Sequence, residues 1–538
     1  MSVFGSLHDK SKISSFRTTI ETAFYRNNVE RVFTPADSYR LALKCPGTIV
    51  TDQPINNPEY HGLPDDAKVL LFNDGEVTGR CAQARRISGT SNVDEKTYTS
   101  ILREAVYNAR FRKMYHAVAT IGLHEDMMVK ANILIPEGFE NNLLSWNLNF
   151  QHLNEKYKNM YKRSVPYDDT DIFIFTDPYW SHPDFPLGLA FFDSQHNVAA
   201  LLGLRYFGEF KKATLTLGWG TAKRHGFVAC HGGIKRFNHN NFIAAFFGLS
   251  GSGKSTLTHA QHGGKYNITV LHDDAFVINL DDISSIALEP SYFDKTADYV
   301  IGHPDNKYIL TAQNIGASKT EDGRLFFVLE DIRQGNGRAV KSDLWSPHRV
   351  DKFDKPINAI FWLMKDPTLP PISRLVDPSI ASLMGLTLAT KRTSAERVVG
   401  QDLNQLVFEP YANPFRVYPL ADDYDRFKKL IEKGVSCYIL NTGEFMGKDI
   451  PKELTLSLLE QIIEDEADFM PWPEIEEFSY LPVDGYEPDM QDVEYRKSFK
   501  NRMKDRYKFI ETCHKNKKHV NYVPEECLDA MRRLLAKL

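Results

Sequence analysis

Residues 242–257 read FIAAFFGLSGSGKSTL, and this stretch decides the fold. Phe242 to Phe247 is an apolar run short enough to be a buried strand. Gly248, Leu249, Ser250, Gly251, Ser252, Gly253, Lys254 and Ser255 follow, and they fit the pattern GxxxxGK[ST] completely. Ser255, Thr256 and Leu257 then open a helix. Glycines let successive backbone N–H groups point into one concavity without Cβ clashes. The helix start adds partial positive charge to that nest. In such a loop Lys254 reaches β and γ phosphates, and Ser255 offers its hydroxyl to Mg²⁺. The spacing therefore predicts strand, phosphate loop and helix, the core of an α/β nucleotide-binding domain.

Twelve residues past Thr256, a second apolar run begins at Ile268 and ends in His272, Asp273 and Asp274. Carboxylates at the C-terminal end of such a strand face the ligand crevice of an open sheet. They are suited to a nucleotide-bound divalent ion, because hard cations take oxygen ligands. Asp274 lies twenty residues after Lys254. Further buried strands are predicted in "INAIFWLMKD" (357–366) and "GVSCYILNTGEF" (434–445). The helical stretch "DDYDRFKKLIEKG" precedes the last of these and ends at Gly434 as C-cap.

Upstream, strands dominate and helices intervene. Residues 97–118 have helical spacing, while "MMVKANILIPEGF" and "DIFIFTDPYW" read as strands closed by turns. "NVAALLGLRYFGEFKKATLTLGWG" reads as paired strands around a polar turn. Expected domains are residues 1–240, 241–460 as the nucleotide- and metal-binding part, and 461–538 as a charged extension packed on the body. In that extension, 464–489 holds ten acids and no Lys or Arg, and 496–518 holds ten Lys/Arg and two acids. These halves are expected to pair with each other or with the body.

The chain has 538 residues, which permits two large domains or three to four of ~150 residues. Apolar residues make up 42% and charged residues 25%, so it has material for a full core and is neither disordered nor fibrous. A net charge of −5 argues against a nucleic-acid coat. Six cysteines without a CxxC pair exclude a disulfide scaffold and a zinc knuckle, and suit a reducing compartment. No apolar run reaches the ~18 residues of a membrane span. The N-terminus lacks a signal-peptide apolar region. The expectation is a cytoplasmic chain with no nucleic-acid or membrane partner, and a monomer is favoured.

Taken together, the motifs resemble those of ATP-dependent phosphoenolpyruvate carboxykinases. "GLSGSGKST" is similar to that family's kinase loop, "RYFGEFKK" (205–212) to its tyrosine and double-lysine turn, and "HDDAF" (272–276) to its acid pair. His231, seventeen residues before Gly248, stands at the family's metal-binding histidine. "VTGR" (77–80) and "GNGRAV" (335–340) resemble its two arginine segments. "LPPISRL" (369–375), "TSAER" (393–397) and "NTGEFMGKDI" (441–450) follow in family order. The chain departs from the family at "GRCAQARR" (79–86), "WLMKDPTLPPISRL" (362–375), "LVFEPYANPF" (406–415) and in its longer tail.

The resemblance implies a two-domain fold, a mixed-sheet N-terminal domain and a P-loop mononucleotide domain. It implies decarboxylation of oxaloacetate and transfer of the ATP γ-phosphoryl to the enolate, giving phosphoenolpyruvate, CO2 and ADP. Arg80 would clamp a substrate carboxylate. Tyr206 would sit beside the carboxylate that leaves. Lys212, His231 and Asp274 would hold Mn²⁺, with the Lys212 amine neutral beside Lys211. Asp273 would orient water on the metal. Ser250 would lie near the transferring phosphoryl, and Lys254 and Ser255 would hold phosphates and Mg²⁺. Arg338 would neutralise charge between enolate and γ-phosphate, with Arg333 the alternative. The family's guanine-using branch carries a cysteine in this loop. Ser250 and Ser252 stand here instead, so ATP is expected. The rival readings are another P-loop kinase acting on a small carboxylated metabolite, and a nucleotide-gated scaffold without turnover.

Overall fold

The protein is represented by a computed structural model that describes residues 10–74, 82–249, 251–296, 302–331, 337–346, 348–391 and 406–538. The chain divides into two compact units, each built from several segments. Residues 1–225, 286–347 and 394–401 form the first, and 226–285, 348–393 and 402–538 the second. The expected boundary near 240 thus falls at 226. Residues 286–347 join the first unit because Ile309–Gln313 pairs with Lys68–Phe72. The tail joins the second unit, because its side chains enter that unit's core (Arg506 and Phe499 are fully buried).

The first unit holds a mixed sheet ordered Val29–Val32, Met114–His124, Met127–Pro136, Ile172–Asp177, Val198–Leu202, Leu189–Asp193 and Arg85–Ile87. The helices Ser15–Thr22 and Glu95–Asn108 cover one face through Phe16, Ile20, Leu102 and Val106, packed with Phe173, Phe175 and Ala200. The helix read over 97–118 therefore stops at Asn108, and Met114 begins a strand paired on both sides. A larger difference lies at 197–220. Only Val198–Leu202 is a strand, and Phe207–Arg224 is one long helix. Nearly all of that helix is buried. A helix buried all round has no polar stripe, so its period is hidden and its Thr and aromatic residues mimic strand. A second sheet, ordered Tyr292–Lys295, Arg338–Lys341, Ile309–Gln313, Lys68–Phe72 and Ile49–Pro54, completes this unit.

The second unit is built on a sheet ordered Ile268–His272, Gly233–Phe237, Phe242–Phe247, Ala359–Met364, Ser436–Asn441, Ile372–Leu375, Ile475–Tyr480 and Met470–Trp472. Phe242–Phe247 lies at the predicted bounds. It runs parallel to Ala359–Met364, which runs parallel to Ser436–Asn441. Ile268–His272 points the same way, since it is antiparallel to Gly233–Phe237, which is itself antiparallel to Phe242–Phe247. Four strands therefore deliver their C-terminal ends to one edge, where ligands of open α/β sheets bind. Phe246, Phe361, Leu363, Leu440 and Leu459 form the core beneath that edge. The helix at 420–432 ends as expected, with Gly434 at φ 97°.

One buried cation supports the phosphate-loop helix. Lys235 is fully buried, and its ammonium donates to the carbonyls of Leu257 (2.6 Å) and Ala260 (2.9 Å) at the end of the helix Lys254–His259. These are carbonyls the short helix leaves without intrahelical donors. Burial pushes the Lys235 ammonium down to about 7. The unfolded chain therefore holds the extra proton between about 7 and the ordinary 10.5. Stability rises with pH across that window, and the cost of burying the charge is full below it. Urea unfolding of wild type and Lys235→Met at pH 7 and 9 checks this. Wild type should gain about 2 kcal/mol on the variant over that interval.

Candidate active site

Gly248 leaves its strand against the neighbouring one. A Cβ there would meet Leu363 Cβ at 2.8 Å and Ser252 Oγ at 2.2 Å. Gly251 (φ 83°) and Gly253 (φ 89°) take the left-handed conformation that lets the loop curl. Ser252 N–H donates to Leu249 O at 3.0 Å. The buried Ser252 hydroxyl has no hydrogen-bond partner among the described residues. Ser255 and Thr256 are exposed on the first turn. Ser250 lies outside the described residues, as do Arg80, Arg333 and the 393–397 segment.

His231 ends the strand Phe227–His231 and is buried. Its Nδ1 faces the carbonyl of Ala412. A carbonyl only accepts, so Nδ1 carries the proton and the other nitrogen offers its lone pair. That nitrogen, Nε2, lies 3.0 Å from Asp274 Oδ1, and Lys254 Nζ lies 3.6 Å from the same oxygen. An imidazole lone pair and a carboxylate this close repel unless positive charge stands between them. A proton or a divalent cation satisfies that need, so the donor pair fits a metal. Among the described residues no three His, Cys, Asp or Glu side chains gather about one point. Of the three expected ligands, His231 and Asp274 meet here.

The acid strand is shaped by a histidine that sequence reasoning passed over. His272 Nδ1 accepts from the backbone N–H groups of Asp274 (3.0 Å) and Ala275 (3.1 Å). This turns the chain so that the two acids diverge. Asp273 is buried beside His259, with Nε2 to Oδ2 at 3.4 Å. Burial alone would raise the Asp273 carboxyl. The nearby His259 ring and the Lys254 ammonium hold it well below the usual range. Asp273 is therefore an anion at any working pH.

The Ala412 carbonyl was also invisible in the sequence. Tyr411 and Ala412 both take φ 52°, a strained value for residues with a Cβ. Tyr411 is locked by stacking on Phe427 at 4.6 Å and by Ser382 at 3.0 Å.

The other candidates lie in the first unit. Tyr206 precedes the helix Phe207–Arg224 and is buried. Its ring lies over Gly208, where a Cβ would meet Cε1 at 2.2 Å. Only glycine permits that close approach. Burial raises the Tyr206 phenol, and the Arg338 guanidinium opposes the rise. Arg338, itself buried, opens the strand Arg338–Lys341 opposite Lys295 and Gln313. Lys211 points into the core and pairs with Glu289 at 3.0 Å, both fully buried. Asn149 Nδ2 donates to the other Glu289 oxygen at 2.5 Å. Lys212, next on the helix, is half-buried. Glu289 thus neutralises Lys211, a partner that lies 78 residues away and that no local pattern announces.

A sequence model of the ATP-type enzymes, described as phosphoenolpyruvate carboxykinase, matches residues 61–484. The Phosphoenolpyruvate carboxykinase (ATP) of Aeropyrum pernix is 25% identical over 295 residues, 52% of this chain and 58% of that protein. That of Dictyostelium discoideum is 24% identical over 310 residues, 54% of this chain and 52% of that protein. The chain spans little more than half the length of each. The family match takes in the phosphate loop, the His231–Asp274 pair and the Tyr206 turn, and this chain belongs to the ATP-type phosphoenolpyruvate carboxykinase family.

Proposed function

We propose that this chain decarboxylates oxaloacetate and transfers the γ-phosphoryl of ATP to the resulting enolate, releasing phosphoenolpyruvate, CO2 and ADP. The observation that carries this reading is the meeting of His231, Asp274 and Lys254 at the edge where the phosphate loop begins. A kinase needs the lysine and an acid. The added imidazole, oriented by a strained carbonyl, is what a second cation for enolate chemistry calls for.

The roles follow from the chemistry of the side chains. Lys254 and the loop N–H groups bind the nucleotide phosphates. His231, Asp274 and Lys212 would hold Mn²⁺, which when bound serves as a Lewis acid toward enolate charge. Ser255 would hold the nucleotide's Mg²⁺, and Asp273 would orient water. Tyr206, neutral through the working range, donates a hydrogen bond beside the departing carboxylate. Arg80 clamps a substrate carboxylate with its planar fork. Arg338 places fixed positive charge where the phosphoryl crosses. No protein nucleophile is required, because positioning and charge neutralisation carry phosphoryl transfer. We also place the reaction in the cytoplasm. In support, Cys45, Cys230, Cys437, Cys513 and Cys527 are buried free thiols, as a reducing compartment keeps them. Among the described residues no helix is long and apolar enough to cross a membrane.

Incubation with oxaloacetate, ATP, Mn²⁺ and Mg²⁺ should give phosphoenolpyruvate, CO2 and ADP in equal amounts. ATP binding without phosphoenolpyruvate would sink the reading. In His231→Ala, Mn²⁺ titration without nucleotide should show affinity lowered at least ~10-fold. Unchanged affinity would instead fit an ordinary P-loop kinase. Tyr206→Phe should lower kcat/KM for oxaloacetate about tenfold, the loss of one hydrogen bond to a charged group. Because the Tyr206 phenol titrates above its ordinary 10.0, the variant's pH–rate profile should keep the wild-type alkaline limb. A limb that moves would overturn the assignment.

A further inference from the structure

The C-terminal helix Val493–Lys515 lies wholly beyond the matched family segment, yet it reaches the ligand edge of the second unit. Arg506 is fully buried, and so is Asp366, its partner at 2.7 Å. The same guanidinium donates to Thr387 Oγ1 at 2.9 Å and to the Thr387 carbonyl. Arg502 approaches the other Asp366 oxygen at 3.6 Å. One turn and more away, Tyr495 Oη donates to the Thr368 carbonyl at 3.1 Å. The helix thus grips the 366–368 loop at both ends.

That loop leaves the strand beside the phosphate loop, and it is tied to the next one. Asn441 Nδ2 donates to the carbonyls of Asp366 (2.8 Å), Leu369 (2.6 Å) and Glu444 (2.8 Å). Thr442 N–H donates to Met364 O at 2.9 Å, and Met446 N–H to Pro367 O at 2.8 Å. Loops 365–371 and 441–446 are therefore joined by hydrogen bonds into one piece. The first follows the parallel neighbour of the strand that leads into Gly248, and the second follows the parallel strand next to that neighbour. A buried ion pair adds little net stability over an apolar pair of equal volume. What Arg506 fixes is the place of Asp366, and through it the place of both loops.

We propose that the C-terminal extension is a positioning element for nucleotide binding, with Arg506, Arg502 and Tyr495 holding the 365–371 and 441–446 loops in the shape that receives ATP. This rests on the reading above that nucleotide binds at this edge. Arg506 is a positioning residue, since it acts through Asp366.

The test is calorimetric titration of MgATP, and separately of Mn²⁺, into wild type, Tyr495→Phe, Arg506→Met and Arg506→Lys, with a melting curve for each. MgATP affinity should fall about tenfold in Arg506→Met. It should fall about threefold in Tyr495→Phe, which loses one hydrogen bond. Arg506→Lys should recover part of the loss, because one charge still meets Asp366. Mn²⁺ affinity should hold in all of them, a split that general loosening would not give. Folded variants with wild-type MgATP affinity would overturn the proposal. So would Mn²⁺ and MgATP affinities that fall together. If Arg506→Met does not fold, Tyr495→Phe and Arg502→Gln decide by the same criterion. A wild-type chain that binds no MgATP overturns the functional reading first, and this inference with it.

Discussion

A carboxylate oxygen of Asp274 stands 3.0 Å from one imidazole nitrogen and 3.6 Å from one ammonium, and this contact organises the second unit's site. It needs a histidine whose second ring nitrogen points one way only. That requires a carbonyl acceptor on the opposite nitrogen, and Ala412 supplies it from a backbone held at positive φ. Strain of this kind costs on the order of 1–3 kcal/mol and persists only where packing enforces it. Here the stacked rings of Tyr411 and Phe427 enforce it. The site thus depends on an aromatic core that touches no ligand.

The same economy of placement recurs beneath the phosphate loop. The end of its short helix is closed by Lys235, which reaches up from a neighbouring strand. The loops after the next two strands on one side are knitted by Asn441 and backed by Arg506. Each of these groups is buried and polar, and each meets a partner from a distant part of the chain. Buried polar groups of that kind specify one arrangement, because any slip leaves a charge or a donor unsatisfied.

The first unit follows a different rule. Its helix Phe207–Arg224 sits inside the unit with Gly208 yielding space to the Tyr206 ring and Gly218 yielding space to Ile121, where a Cβ would meet Cγ2 at 2.7 Å. Lys211 would be an impossible core residue without Glu289. The two lysines of this helix are therefore placed differently. Lys211 is balanced inside the fold, and Lys212 is half-buried.

Read alone, the sequence determined the strand, loop and helix at 242–257 and the acid pair after Ile268, because glycine spacing and strand-end acids act over a few residues. Motif order likewise carried the family, since order survives where identity has fallen to about a quarter. The tertiary structure decided what no short window contains. It turned 207–224 into a helix, because burial on all sides erases the period that marks one. It gave Lys211 to Glu289 and His231 to the Ala412 carbonyl, partners separated by 78 and 181 residues. It also drew the basic half of the tail inward at Arg506, where composition described only a charged surface. Local chemistry is written in spacing, whereas the neutralisation of a buried charge is settled only when distant segments pack.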